Sequence, residues 1–280
     1  MPLPADAARI AAAALAEDGE TDLTSDLTVP AHLRAEAVIE FRANGVLAGS
    51  DYAEAVARQC GCSVSWQLRD GSAVQAGAVV GKVTGGMRQI LHAERPLLNL
   101  LQRASGIATA TRGFVQAIEG TGCRVLHTRK TAPGLRALDV AGVVAGGGEI
   151  HRLDLAHEVM VKDNHWQALQ RSGIGLDQVL AEVRRRGVSA LYVEVESIEQ
   201  LELACKAGAS RLLIDNQSPA TLRSWATAAR KLAKDIEIEA TGGITLENAR
   251  SYAEAGADFI SVGALTHSVR AIDIALEMRF

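Results

Sequence analysis

The sequence predicts an α/β protein, with an N-terminal α/β sandwich domain followed by an open α/β barrel of about six parallel strands. Six short apolar runs, each ending on a polar residue or a glycine, indicate the barrel. Apolar runs of this length are typical of buried parallel strands. The first ninety or so residues differ, because short alternating strands and glycine turns there mix with helices. The six runs occupy residues 125–126, 159–161, 191–193, 212–214, 236–240 and 259–262.

The chain is predicted to divide near residue 110. Residues 1–110 are expected to form the sandwich domain and residues 111–269 the barrel, with residues 270–280 packing back on the first domain. Mixed strands and helices are typical of an α/β sandwich, whereas regular strand–helix alternation is typical of a barrel.

Local patterns predict the elements of the first domain. Residues 5–16 are rich in alanine and favour a helix, and a second helix is expected over residues 51–59. Residues 35–42 and 62–68 alternate between apolar and polar side chains, which is typical of half-buried strands.

A long helical pattern over residues 92–119 joins the two domains. Pro96 suits the first turn of a helix, and Ser105–Gly106 is a candidate break. From pattern alone, Arg95 is interpreted as a solvated cation at the helix start.

Helices are also expected between the strands of the barrel. The predicted helices cover residues 176–186, 199–207, 220–233 and 246–255. Gly187, Gly208 and Gly256 stand where helix C-termini favour glycine. This repetition of strand and helix is what a barrel built from βα units shows.

Composition favours a small-molecule enzyme of the cytoplasm. The 280 residues carry a formal net charge of −4, which gives no basic surface for nucleic acid. No apolar run approaches the ~20 residues of a membrane span. The four cysteines have no zinc-like spacing, and free thiols indicate a reducing compartment.

Three cationic clusters follow strand ends or glycines in the barrel region. Because the loops after parallel strands share one face of a barrel, we expect these side chains to meet there. Arg binds a carboxylate or phosphate through two parallel bonds, and Lys provides a point charge. A solvated loop or a structural ion pair is the alternative for each. The clusters are Thr128, Arg129 and Lys130; His151 and Arg152 after three glycines; and Lys162.

Carboxylates form a fourth cluster, made of Glu194, Glu196 and Asp215. Residues two apart on a strand share a face, so Glu194 and Glu196 are both expected to point inward. Hard carboxylate oxygens suit Mg²⁺ bridged to a phosphorylated substrate. The alternative is that these carboxylates only neutralise the lysines.

Glycine turns end the last two predicted strands. Backbone N–H groups at such turns, followed by a capped helix, bind phosphate in many barrels. Thr245 is the expected cap of the next helix. The turns are formed by Thr241, Gly242 and Gly243, and by Ser261, Val262 and Gly263.

Taken together and in this order, the motifs resemble the quinolinate phosphoribosyltransferase family of NAD biosynthesis. The matching stretches run from residue 19 to beyond residue 260. They are Gly-Glu-Thr-Asp-Leu-Thr-Ser at 19–25, Glu-Arg at 94–95, Leu-Asn-Leu-Leu-Gln at 98–102, Ser-Gly-Ile-Ala at 105–108, Thr-Arg-Lys-Thr-Ala-Pro-Gly at 128–134, His-Arg at 151–152, Lys-Asp-Asn-His at 162–165, Val-Glu-Val-Glu at 193–196, Asp-Asn at 215–216, Thr-Gly-Gly at 241–243 and Ser-Val-Gly-Ala-Leu-Thr at 261–266.

The resemblance implies that phosphoribosyl pyrophosphate and quinolinate react to give nicotinate mononucleotide, pyrophosphate and CO₂. It implies a homodimer with shared active sites, with room for a higher oligomer. Arg95 would reach across the dimer to the quinolinate carboxylates. Lys130 would contact either substrate, and Glu196 and Asp215 would hold the ribose hydroxyls and Mg²⁺, directly or indirectly.

The remaining roles implied by the resemblance fall on two groups of residues. Arg129, His151, Arg152 and Lys162 would bind quinolinate, with Thr128 beside them. The turns at Thr241, Gly242 and Gly243 and at Ser261, Val262 and Gly263 would bind the 5-phosphate. Lys130, Lys162, Glu196 and Asp215 are the expected catalytic residues.

Two departures from the family pattern leave alternatives open. Ile150 stands where an asparagine often precedes His-Arg, and His127 stands where an aspartate often precedes Thr-Arg-Lys. One alternative is a diverged homologue associated with molybdate transport. Another is a phosphate-binding barrel lyase or isomerase in which Lys162 forms a Schiff base. The non-enzymatic alternative is a regulatory binding module.

Overall fold

The computed structural model describes residues 3–188 and 190–279, and these form two compact units. The first unit comprises the described parts of Met1–Arg112, Lys130–Gly148 and Ala264–Phe280. The second comprises Gly113–Arg129 and the described part of Glu149–Gly263.

The first unit combines helices with an antiparallel sheet. Its helices are α1 (Ala7–Asp18), α2 (Leu23–Thr28), α3 (Ser50–Gln59), α4 (Met87–Ala117), α5 (Arg136–Ala145) and α11 (Ala264–His267). Its strands are β1 (Arg34–Phe41), β2 (Gly45–Val46), β3 (Ser63–Trp66), β4 (Ala73–Val74), β5 (Val79–Gly86) and β12 (Ile274–Arg279). The last residues of α4 belong to the second unit.

Among the described residues, the larger sheet of this unit has four strands in the order β12-β1-β5-β3. The C-terminal strand β12 runs antiparallel to β1, with Phe41 opposite Ile274. Both of these side chains lie in an apolar core that also contains Leu101 of α4 and Leu138 of α5. Burial of such side chains is the main stabilising contribution to a unit of this size.

The long helix α4 differs from its prediction at two places. It begins at Met87, so that Pro96 lies inside the helix and not in its first turn. The helix also continues through Ser105–Gly106, where a break was a candidate. Both residues serve packing: Ser105 Oγ donates to the Ala48 carbonyl oxygen (3.2 Å), and a Cβ on Gly106 would come within 2.3 Å of the Arg270 carbonyl oxygen.

Within the described residues, the second unit contains a six-stranded parallel sheet in the order β6-β11-β10-β9-β8-β7. The strands are β6 (Arg124–Leu126), β7 (Val159–Val161), β8 (Leu191–Val195), β9 (Arg211–Asp215), β10 (Glu237–Thr241) and β11 (Phe259–Ser261). The helices are α6 (Asp163–Ser172), α7 (Leu176–Arg185), α8 (Ile198–Ala207), α9 (Pro219–Leu232) and α10 (Leu246–Glu254). The predicted fold class is confirmed.

Local capping explains where several of these helices begin and end. Ser197 and Ser218 accept hydrogen bonds from N–H groups in the first turns of α8 and α9. Gly208 ends α8 in the left-handed region (φ +89°), which glycine adopts without steric cost. These signals are short-range, so they are readable from the sequence.

The division of the chain differs from the predicted one for residues 111–112, 130–148 and 264–269, which lie in the first unit. Helix α5 packs tightly on α4, because a Cβ on Gly142 would come within 2.8 Å of the Ala104 carbonyl oxygen. That packing depends on tertiary contact and leaves no local signal. Across the described residues, every helix is too short or too polar to cross a membrane.

Candidate active site

The cationic turn begins just after β6 ends. Thr128 and Arg129 belong to the second unit, and Lys130 is the first residue of the next stretch of the first unit. Arg129 is partly buried, and its Nε is fully buried without a hydrogen-bond partner among the described residues. A buried donor without a partner costs roughly 1–3 kcal/mol. Arg129 is therefore a position that a ligand oxygen would stabilise.

Arg152 is a second partly buried guanidinium in the same unit. Burial lowers its pKa, and the positive charge of Arg129 lowers the pKa further. Like charges that influence each other in a poorly solvated place are stabilised by an anion between or beside them. Arg129 and Arg152 together form a candidate site for an anion with more than one negative charge.

A cavity of about 220 Å³ adjoins this region. His151, Arg152, Tyr192 and Arg211 lie in its wall, and the exposed side chain of Ile150 also lines it. His127, the other departure from the family pattern, is fully buried, and its Nδ1 lies 3.1 Å from the Thr128 carbonyl oxygen. Both departures thus lie next to predicted substrate-binding residues.

Glu239 is a buried carboxylate of β10 that lies outside the sequence motifs described above. It is 1% exposed and accepts hydrogen bonds from His151 Nε2 (3.2 Å), Arg211 Nη1 (3.1 Å) and Ser261 Oγ (2.5 Å). Burial alone would raise the pKa of Glu239, but the hydrogen bond from His151, the positive charge of His151 when it is protonated, the hydrogen bond from Ser261 and the charge of Arg211 lower it. The carboxylate is therefore ionised within the sheet.

Arg211 is the second residue that was missed. Its guanidinium lies over the rings of Tyr192 (4.6 Å) and Phe259 (3.9 Å) and pairs with Glu237 (2.8 Å) and Glu239 (3.1 Å). The sequence does contain a signal for Arg211, which is a charged residue next to an apolar strand. Such a residue needs a buried partner. The sequence does not say which residue that partner is.

Lys162 is the N-cap residue of α6 and lies 2.5 Å from Glu194 Oε2. Its backbone N–H donates to His165 Nδ1 (3.1 Å), which secures the first turn of the helix. The Lys162 side chain remains 41% exposed, so the ion pair leaves part of the side chain open to solvent. The pairing agrees with a structural role and leaves room for substrate binding.

Glu194 and Glu196 lie in different surroundings, unlike the predicted common orientation. Glu194 is buried against Lys162, whereas Glu196 lies one residue beyond β8 and is exposed. The strand alternation that would aim both side chains the same way stops at Val195. Glu196 also borders a cavity of about 700 Å³ between α6, α7 and α8.

The glycine turn after β10 is held by two asparagines. The Asn216 N–H donates to the Thr241 carbonyl oxygen (2.9 Å), and Asn248 Nδ2 donates to the Gly243 carbonyl oxygen (3.0 Å). Gly242 has φ +81°, and a Cβ there would lie 2.2 Å from Asn216 Oδ1, so only glycine fits. The turn is a rigid, capped approach to α10.

Two residues of the second predicted glycine turn are hydrogen-bonded to the sheet. Ser261 is buried and donates to Glu239, and the Val262 N–H donates to the Leu126 carbonyl oxygen (3.1 Å). Gly263, the last residue of the second unit, is half-buried. Asp215, at the end of β9, is half-exposed and accepts from Asn216 Nδ2 (2.6 Å).

In the first unit, a buried ion pair organises the turn that carries Lys130. Asp139 is fully buried and accepts from Arg103 Nε (2.7 Å), Arg103 Nη2 (2.9 Å) and the Ala132 N–H (3.1 Å). Thr266 Oγ1 donates to the Lys130 carbonyl oxygen (2.9 Å). Arg95, also in this unit, is exposed within α4.

Comparisons with known proteins agree with these motifs. The profile of the quinolinate phosphoribosyl transferase N-terminal domain matches residues 22–105, and that of the C-terminal domain matches residues 107–277. This chain belongs to the quinolinate phosphoribosyl transferase family.

Relatives in the family cover most of the chain. A nicotinate-nucleotide pyrophosphorylase [carboxylating] of Mycobacterium leprae is 39% identical over 266 residues, 92% of this chain and 91% of the relative. The human protein of that name is 38% identical over 247 residues, 87% of this chain and 82% of the relative. The solved nicotinate-nucleotide pyrophosphorylase of Francisella tularensis superposes with a TM-score of 0.90 at 32% identity, covering 99% of this chain and 98% of that one.

Among the described residues, no group of three or more His, Cys, Asp or Glu side chains is arranged to hold a metal ion. Two carboxylates nevertheless suit Mg²⁺, which is commonly bound by one or two carboxylates together with water and substrate phosphates. Glu196 and Asp215, exposed and half-exposed, have the donor chemistry that this mode of binding requires.

Proposed function

We propose that this chain is a pentosyltransferase that transfers the phosphoribosyl group of phosphoribosyl pyrophosphate to the ring nitrogen of quinolinate. The reaction loses pyrophosphate and CO₂ and gives nicotinate mononucleotide in NAD biosynthesis. Membership of the family and the names of the relatives support this activity. The observation that carries the proposal in the site itself is the pair Arg129 and Arg152.

That pair has the chemistry of a dicarboxylate site. Quinolinate carries two adjacent carboxylates, and each guanidinium can bind a carboxylate through two parallel bonds. The buried Arg129 Nε without a described partner would gain its hydrogen bond from the ligand. Binding would also relieve the repulsion through which Arg129 lowers the pKa of Arg152.

The carboxylates Glu196 and Asp215 are proposed to act on the phosphoribosyl half of the reaction. Positive charge develops at the anomeric carbon as pyrophosphate leaves, and carboxylates held nearby stabilise that charge. Both side chains are open to solvent at least in part, so they can approach a substrate. Neither needs to become a nucleophile.

Mg²⁺ is proposed as the cofactor, with Glu196 and Asp215 as the residues that hold it, directly or through the substrate. When bound, the ion would neutralise charge on the pyrophosphate group. Lys130 and Lys162 are the chain's own cations for the substrates. Lys162 is already positioned by Glu194 and by the start of α6.

The 5-phosphate is assigned to the turn at Thr241, Gly242 and Gly243. Its backbone is fixed by Asn216 and Asn248, and α10 begins just after it. Preorganised N–H groups at the start of a helix favour anions, and a capped turn needs no ordering when phosphate binds. Ser261, Val262 and Gly263 are the second part of this assignment.

Two alternative functions receive less support. Relatives named as carboxylating pyrophosphorylases do not favour a molybdate-associated homologue. A Schiff-base lyase needs a lysine amine that is free to attack a carbonyl, whereas Lys162 Nζ lies 2.5 Å from Glu194 Oε2. Borohydride trapping with a carbonyl substrate would contradict our assignment if Lys162 became modified.

The activity is tested by incubating the chain with quinolinate, phosphoribosyl pyrophosphate and Mg²⁺ and by following nicotinate mononucleotide. Nicotinate lacks one carboxylate and would leave a buried cation unpaired. We expect kcat/KM for nicotinate to be at least about 10³-fold lower, by analogy with sites that reject a substrate lacking a polar group. Comparable turnover of nicotinate would contradict the dicarboxylate assignment.

A homodimer with shared sites is proposed from the family resemblance, with Arg95 acting on the partner's substrate. Its exposure on α4 leaves its guanidinium available for such a role. Arg95→Ala and Lys162→Ala should each be nearly inactive. Mixing them under subunit exchange should restore up to about a quarter of wild-type activity, since half the dimers then contain one intact site. Exchange without recovery would remove Arg95 from the shared site.

A cytoplasmic location is proposed as well. Cys60, Cys62, Cys123 and Cys205 are free thiols, which suits a reducing compartment. Burial raises the pKa of Cys123 to about 12 and that of Cys60 to about 11, so neither is a reactive thiolate at neutral pH.

A further inference from the structure

We propose that Glu239 is a positioning residue that holds His151 as a neutral imidazole with its proton on Nε2, so that His151 orients Arg152 and does not itself bind the substrate as a cation. The inference rests on the proposed function, because the substrate-binding role of Arg152 comes from there. It assigns His151 a different role from the one that the family resemblance suggests.

The hydrogen bonds of the His151 ring determine where its proton lies. Nδ1 accepts the Arg152 backbone N–H at 2.7 Å, so Nδ1 has no proton of its own. Nε2 lies 3.2 Å from Glu239 Oε2, and an ionised carboxylate can only accept. The proton is therefore on Nε2. With both ring nitrogens occupied, His151 has no free donor for a substrate carboxylate.

The surroundings hold the ring in this state. The His151 side chain is 8% exposed, and its ring meets Tyr192 edge to face at 5.9 Å between centroids. Arg211 also donates to Glu239, so the carboxylate has a cationic partner without a charged His151. The Arg152 backbone N–H lies at the other ring nitrogen, Nδ1.

The remaining charged or titratable groups near the ring belong to the neighbouring cavity wall. Glu158 and His157 line the same cavity as His151. The Glu158 carbonyl oxygen accepts from Arg152 Nη1 (3.3 Å), so Arg152 is held at its main chain by His151 and at its guanidinium by Glu158. An arginine fixed at its main chain and at its guanidinium binds a carboxylate with less loss of conformational entropy.

The tautomer is measured by long-range ¹H–¹⁵N correlation spectra of the full chain labelled with ¹⁵N-histidine at pH 7.5. His151→Asn identifies the His151 signals among those of the seven histidines. We expect one nitrogen with the shift of a protonated atom, Nε2, and one with that of an unprotonated atom, Nδ1. Two protonated nitrogens, or a proton on Nδ1, would overturn the proposal.

Matched variants test the positioning role through quinolinate binding by calorimetry. His151→Asn keeps a carbonyl oxygen where Nδ1 accepts the Arg152 N–H, and His151→Leu removes that acceptor. We expect His151→Leu to raise the quinolinate Kd by about 10-fold, the effect of one hydrogen bond. His151→Asn should cause a smaller loss. Equal losses in the two variants would indicate a direct contact between His151 and the substrate and would overturn the proposal.

Glu239 is tested by a second pair. Glu239→Gln keeps an oxygen that can accept from His151 Nε2, whereas Glu239→Met does not. We expect Glu239→Met to weaken quinolinate binding more than Glu239→Gln, and to shift the His151 spectrum away from the Nε2–H pattern. An unchanged spectrum in Glu239→Met would show that Glu239 does not set the tautomer. If that variant does not fold, the His151 pair and the wild-type spectrum still decide.

The proposed function and this inference fail in different ways. A wild-type chain that binds no quinolinate would contradict the proposed function, while the spectrum of the ligand-free protein would still test the tautomer. Normal binding with a protonated His151 would contradict only the inference.

Discussion

Asp139 of the first unit and Glu239 of the second are both almost fully buried, at 0% and 1% exposed, but they hold different parts of the protein. Asp139 accepts from one guanidinium and from the Ala132 N–H, and so fixes the main chain of a turn. Glu239 accepts from three side chains, including His151, and so fixes side-chain orientation. A buried carboxylate is costly, and its partners show what it positions.

The largest effect is expected from Asp139→Ala. Removal of one partner of a buried ion pair leaves the other charge uncompensated, which costs about 3–5 kcal/mol. Arg103 is 24% exposed, so we expect the lower end of that range. Urea unfolding measures the loss. The double variant Arg103→Met/Asp139→Leu should recover part of it, and a full loss in both would mean that the pairing is not the cause.

The second effect concerns carboxylates that are not buried. Glu196→Gln and Asp215→Asn should each lower kcat by about 10²-fold, the scale of one preorganised electrostatic contact. The melting temperature and the quinolinate affinity should change little, because both side chains are at least partly exposed and the cations hold quinolinate. Turnover, its Mg²⁺ dependence and calorimetric binding are the measurements. Near-normal turnover with a lower melting temperature would assign both residues to structure.

The smallest effect is expected at the glycine turn, where the main chain is fixed by asparagines and not by a carboxylate. Gly242→Ala adds a Cβ 2.2 Å from Asn216 Oδ1 and should cost about 1–2 kcal/mol or more, with a higher KM for phosphoribosyl pyrophosphate. Gly243→Ala is the control, because its φ is also positive (+62°) but no atom lies within 4 Å of the added Cβ. Equal losses in the two variants would mean that the positive φ, and not the contact with Asn216, causes the effect.

Elements that depend on short-range patterns could be predicted from the sequence. All six apolar runs became strands, and the predicted helices between them correspond to α7, α8, α9 and α10. These elements follow from periodicity and from capping residues, which act within a few positions. Helix α5 and the inclusion of Pro96 within α4 were not predicted, since both depend on packing between distant segments.

Some residues of the candidate site could also be located from the sequence, whereas others could not. Arg129, Arg152, Lys162 and the turn at Gly242 could be located from motifs, because each follows a strand end or a glycine signal. Glu239 and Arg211 lie within strands, and period-2 alternation does not tell which of two faces is buried against which partner. Their roles became visible only from the distances to His151 and Ser261.

By itself, the sequence determined the fold class, the positions of most strands and helices, and the chemical types gathered for an anionic substrate. Those properties depend on local propensity, alternation and residue chemistry. Only the tertiary structure decided that Asp139 holds the Lys130 turn, that Lys162 pairs with Glu194, and that Glu239 lies within hydrogen-bonding distance of His151. The reason is that a buried charge is stable only beside its partners, and those partners are brought together by residues far apart in the chain.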